Sequence, residues 1–195
     1  MYASVLPALK IEDHLRLLLE LDRVTAYAVR KKGCQDPVCK LIGKTALHDG
    51  SWLRKPRGAR VPEECCERFS WCCQTCRHRV MPVSLRFLSR KVYLGAVVAV
   101  ITAMRCGVTP ARMRVLNELA GVSRETVKRW EAWWKETLPK TNLWLGRRGA
   151  FVEVKTKELP LSWLEQAKGS AWDRVLHLLR FISPLTGGRR CGAAM

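Results

Sequence analysis

The sequence predicts a mainly α-helical chain with a helix-turn-helix core and one small cysteine-rich β element. Three observations carry this reading. Apolar residues recur at helical spacing in several stretches. Residues 34–83 break that period and are rich in Gly, Pro, Cys and Arg. A short turn at Gly121 joins two segments that each have an apolar and a basic side.

Taken in order, Ile11 to Arg30 reads as a helix, with Leu15, Leu18, Leu19, Val24 and Tyr27 near helical spacing. The basic pair Lys31-Lys32 followed by Gly33 ends it, because glycine accepts the left-handed backbone of a helix C-terminus. Residues 33–83 have too little apolar periodicity to hold themselves together and need a cross-link. From Ser84 to Arg105 a second helix is expected, apolar nearly all round and therefore buried. Thr109-Pro110 restarts a helix with Thr as N-cap and Pro at its first position. After the Ala120–Ser123 turn a further helix runs to about Glu136, and Pro139 closes it. Residues 140–185 form a helical extension, with a strand near Phe151 to Val154 and helices at about Leu161–Ala167 and Ala171–Phe181. A flexible tail, 186–195, is expected to follow. The predicted organisation is thus 1–32, 33–83, 84–139, 140–185 and 186–195.

Charge restricts the partner. Thirty-five Lys and Arg oppose 17 Asp and Glu, a formal +18, with a pI near 10.1. Such an excess repels itself in a folded chain and is relieved by a polyanion. Met1 to Lys10 lacks the pattern of a secretory leader. The longest apolar run, Leu94 to Met104, is about half of the roughly 20 residues a membrane helix needs. A reducing cytoplasm, in association with the nucleoid, is the expected location, and no membrane partner is expected.

Nine cysteines in such a compartment point to metal or free thiols more than to disulfides. Cys34-x4-Cys39 and Cys73-x2-Cys76 form two closely spaced pairs, and tetrahedral zinc favours four soft thiolates supplied in that way. Arg77, Arg79 and Lys40 beside them favour the deprotonated form. The expected ligands are Cys34, Cys39, Cys73 and Cys76, with Cys72 able to replace Cys73 and His48 and His78 as spare donors. Cys65, Cys66, Cys106 and Cys191 read as non-ligands. The β element is therefore expected to be a zinc ribbon.

The segment Leu116 to Trp130 reads as a homeodomain-like helix-turn-helix. Gly121 permits the sharp turn, while Val127 and Trp130 face inward. Ser123, Arg124, Glu125, Thr126, Lys128 and Arg129 are left on the outer face, where a recognition helix carries residues to base edges and phosphates of duplex DNA.

Arg68-Phe69-Ser70-Trp71-Cys72-Cys73-Gln74-Thr75-Cys76-Arg77-His78-Arg79, then Pro82 and a helix, resembles the zinc ribbon of bacterial insertion-sequence transposases, which continue into a helix-turn-helix. The resemblance spans Gly33 to Pro139. It implies a DNA-recognition region, but the nuclease of those enzymes needs three carboxylates holding two divalent metals. After Pro139 only Glu153, Glu158, Glu165 and Asp173 remain. The expectation is a DNA-binding accessory factor or regulator with no catalysis of its own. A subunit of a split transposase, and an adaptor for RNA or protein, are the alternatives; a second copy or a transposase are the protein partners these readings entail.

Overall fold

The computed structural model describes residues 11–40, 42–44, 47–56, 61–88, 94–104, 123–151 and 154–190. These form a mainly helical assembly around a small antiparallel sheet. The first helix, α1, spans Ile11–Lys31. Its inner face carries Leu15, Leu18, Leu19, Asp22 and Ala26, whereas Val24 and Tyr27 are 70% and 49% exposed. Gly33 ends the helix as expected, with φ +69° and its N–H on the Arg30 carbonyl at 3.1 Å.

Residues 47–81 fold into short strands: β1 (Leu47–Asp49), β2 (Trp52–Leu53), β3 (Glu67–Arg68), β4 (Trp71–Cys73) and β5 (Arg79–Met81). β2 and β3 make a separate antiparallel pair, while β1, β4 and β5 are consecutive strands of the main sheet. Its fourth strand is β6 (Gly188–Arg190), with Met81 opposite Gly188 and Val80 opposite Arg189. The expected flexible tail is therefore partly structured, because residues far back along the chain hold it. Thr186 is buried, its hydroxyl accepts from the Ser84 N–H at 2.7 Å, and its carbonyl accepts from the Arg68 guanidinium at 2.9 Å. Residues 191–195 lie outside the described set.

The second helix, α2, is shorter than expected, Gly95–Met104. Its described side chains are buried on all sides, as the unbroken apolar run required. Residues 84–88 are not helical, because their polar groups serve Asp22 instead. The Ser84 hydroxyl, the Leu85 N–H and the Arg86 Nε all donate to that carboxylate. Gly95 permits a close approach, since a Cβ there would lie 2.9 Å from a Leu179 methyl carbon.

Helix α3 (Arg124–Ala132) starts at the N-cap Ser123 and runs into a wide π turn, Trp133–Thr137. Pro139 sits in the tight turn Leu138–Lys140 that closes it. Then come α4 (Asn142–Leu145), α5 (Leu161–Gln166) and α6 (Ala171–Ile182). The expected strand near Phe151 is absent at that residue, which ends the single-turn helix Arg148–Phe151; residues 152–153 lie outside the described set. Trp144, Trp163 and Phe181 bring α4, α5 and α6 together, with the Trp163 and Phe181 ring centroids 4.5 Å apart and Phe181 meeting Trp144 edge-on at 6.1 Å. Aromatic contacts of this kind are favoured by ring quadrupoles and bury large areas. No described helix is long and apolar enough to cross a membrane.

Candidate metal centre

Two tight turns hold the cysteines. Cys34 follows the Gly33 cap directly, and its carbonyl accepts from the Gly43 N–H at 2.7 Å, closing the loop 34–43. Inside that loop Cys39 N–H reaches Asp36 O at 3.0 Å and Ile42 N–H reaches Cys39 O at 3.1 Å. Cys73 ends β4, and Cys76 lies in the turn to β5. There Arg77 takes φ +56° and returns its N–H to Cys73 O at 3.0 Å.

The two turns face each other. The Sγ atoms of Cys34, Cys39, Cys73 and Cys76 all lie within 4.8 Å of one another. Cys34 and Cys76 approach to 3.5 Å and Cys39 and Cys73 to 3.9 Å. A disulfide would need about 2.05 Å, and these cysteines are free. A tetrahedron with metal–sulfur distances of about 2.3 Å has sulfur–sulfur edges of about 3.8 Å. The two shorter separations fall on either side of that value, so the four thiols could hold a metal ion. The long gap between the pairs is no obstacle, because the intervening chain leaves as β1 and returns as β4. Leu47 then stands opposite Cys73 in the ladder.

Electrostatics agree with a cationic guest. The backbone N–H of Cys76 is the main cause that lowers the Cys73 thiol to about 7. Burial is the main cause that raises Cys76 to about 12, and burial likewise raises Cys34. Thiols crowded this closely cannot all ionise together unless a cation joins them.

The alternatives for the ligand set separate cleanly. Cys72 Sγ turns toward the carbonyls of Cys73 and Arg77, at 3.7 and 3.6 Å, and is not part of the four-thiol group. Alternation along β4 is the reason: neighbouring side chains leave opposite faces of a strand. His48 stands opposite Cys72 in the ladder. His78 is buried and faces Asp36, its Nδ1 2.9 Å from Oδ2. Cys65 and Cys66 are buried elsewhere, and burial raises both thiols; Cys106 and Cys191 lie outside the described residues. The Asp36–His78 clasp joins one turn to the other and was not foreseen. Its only sequence signal is an Asp between the first pair and a His just after the second.

On α3, Ser123 accepts from the Thr126 N–H at 3.3 Å. Arg124, Glu125, Lys128 and Arg129 are exposed with Ser123, while Val127 and Trp130 are buried. Thr126, expected on the outer face, is 6% exposed, and its hydroxyl accepts from Arg129 Nη2 at 3.0 Å. The correction is geometric, since Thr126 lies beside Val127 and four residues before the buried Trp130 on the inward stripe. Arg129 is accordingly held back along its own helix. The backbone N–H of Glu125 itself is the main cause that lowers the Glu125 carboxyl. The expected first helix of the pair, from Thr109 to the turn at Gly121, lies outside the described residues.

No protein-family model matches this chain, and neither a curated protein nor a solved structure does.

Proposed function

We propose that this chain is a zinc-stapled protein that binds duplex DNA, acting as an accessory factor or regulator without catalysis of its own. The observation that carries the reading is the two-sided character of α3. Val127 and Trp130 anchor it in the core, and Ser123, Arg124, Glu125, Lys128 and Arg129 stay exposed on a chain of formal charge +18. In this reading Arg124 and Lys128, free of the tie that holds Arg129, contact bases and phosphates.

Cys34, Cys39, Cys73 and Cys76 would hold the zinc. An ion filled by four thiolates cross-links the chain and keeps no open position for a substrate. The protein's own residues then bind and orient. The resemblance to the recognition region of insertion-sequence transposases supports the same reading, in which the protein works at the bacterial nucleoid.

The test is equilibrium binding of the purified full chain to duplex DNA across a salt series. Affinity should fall steeply, because each neutralised phosphate adds about 0.9 to the slope of log affinity against log salt. Binding that ignores salt, or that prefers structured RNA to duplex DNA, overturns the proposal.

A further inference from the structure

Two residues flanking the second thiol carry a feature that neither the cluster nor α3 explains. Val38 is 86% exposed and Ile42 47% exposed. Apolar side chains usually leave water, and these two stay in it. Val38 N–H is held by the Asp36 carboxylate at 3.0 Å, and the same carboxylate group faces His78 at 2.9 Å. Ile42 N–H is held by Cys39 O and Gly43 N–H by Cys34 O. Both residues thus lie on hydrogen-bonded turns rooted in the thiol cluster.

The segment that carries them is basic. Lys31, Lys32, Lys40 and Lys44 are all exposed. Between residues 31 and 44 the sole acid is Asp36, whose side chain is only 14% exposed and is turned to His78. Exposed apolar residues in a lysine-rich segment match a polyanion with an apolar interior, which describes stacked bases between phosphate chains. A lipid surface fits less well. Residues 34–44 contain no aromatic, and interfacial anchoring draws on Trp, Phe and larger apolar area. A protein partner fits less well for the same reason, since interface anchors are enriched in Trp, Tyr and Arg.

We propose that Val38 and Ile42 form a wedge that enters the minor groove of duplex DNA and partly unstacks one base step, kinking the duplex there. This rests on the DNA-binding reading above. Short apolar side chains act in this way when they are held rigidly, because insertion then costs the protein little ordering entropy while the bent duplex gains contacts. Lys40 and Lys44 hold the flanking phosphates. Flexible pyrimidine–purine steps are the preferred sites.

The experiment uses the full zinc-loaded chain and a short mixed-sequence duplex containing TpA steps, with a dye at each end. Wild type should bring the dyes closer in a salt-dependent manner. V38S/I42S should leave the duplex straight and bind roughly tenfold more weakly, with zinc content unchanged because both side chains are exposed. K40Q/K44Q should keep the bend and lower the salt slope by about two. Failure of wild type to bind the duplex overturns the DNA-binding reading itself. Salt-dependent binding with a straight duplex, or a bend that V38S/I42S retains, overturns the wedge alone. Partition of wild type onto anionic vesicles, abolished in V38S/I42S while the DNA bend persists, overturns it in favour of a lipid surface.

Discussion

Arg86 Nε donates to Asp22 Oδ2 at 2.9 Å with both side chains almost wholly buried, and this pair ties the N-terminal helix to the sheet. The rest of the guanidinium caps the carbonyls of Cys65 and Glu67 at 2.7 and 2.8 Å. The rest of the carboxylate accepts from Ser84 and Leu85. Every nitrogen of the guanidinium and both carboxylate oxygens therefore have a partner, which is the condition for a buried charge pair to be tolerated.

Arg86→Met is expected to destabilise the fold by about 3–5 kcal/mol, since it strands a buried carboxylate and two carbonyls. D22L/R86M should cost less than R86M plus D22L taken separately. Chemical denaturation of the four species checks this, and strict additivity would show that the two groups do not sense each other.

Zinc content separates the cysteines. C76S should lose most of the metal and, with it, the docking of the 34–43 loop, because a three-thiolate site is incomplete. C72S should bind one zinc per chain like wild type. Elemental analysis with thiol titration reads both, and loss of metal from C72S would move the ligand from Cys73 to its neighbour.

Neutralising the outer face of α3 should weaken DNA binding without touching stability. R124Q/K128Q is expected to reduce the salt slope by up to about two, at 0.9 per lost phosphate contact. T126V, by contrast, alters a buried group and should appear in thermal unfolding and not in the slope. Equal slopes for R124Q/K128Q and wild type would remove α3 from the interface.

Acid should loosen α6 first at its capping box. The Ser170 hydroxyl and N–H both donate to Asp173, and the side-chain bond is the main cause that lowers its carboxyl below the usual 3.8. A depressed carboxylate contributes stability that is complete above its unfolded value and is lost as pH falls through the folded one. D173N should therefore be slightly less stable at neutral pH and flatter in the acid range. A pH titration of thermal unfolding compares the two, and parallel curves would dismiss the cap.

Much of the local structure was legible without coordinates, since it depends on neighbours in the chain. The spacing of Leu15, Leu18 and Leu19 with the Gly33 stop, the buried run of α2, the Ser123 cap and the short helices near 161 and 171 all follow from local periodicity and capping. The pairing of two cysteine turns was legible too, because few residues other than thiols occur at such spacing for a reason. Misplaced was the face of Thr126, which is buried, since helical spacing tells which residues share a side but not where the core will lie.

The sequence by itself determined that this chain is basic, largely helical and able to bring four thiols together from two turns. Tertiary structure alone decided that Cys73 and not Cys72 joins them, as pleat direction depends on how β4 pairs with β1. It also decided that residues 188–190 close the sheet and that residues 84–88 leave the helix to serve Asp22. The last two outcomes hang on hydrogen bonds between residues more than 60 positions apart. No local pattern in a chain encodes partners at that separation.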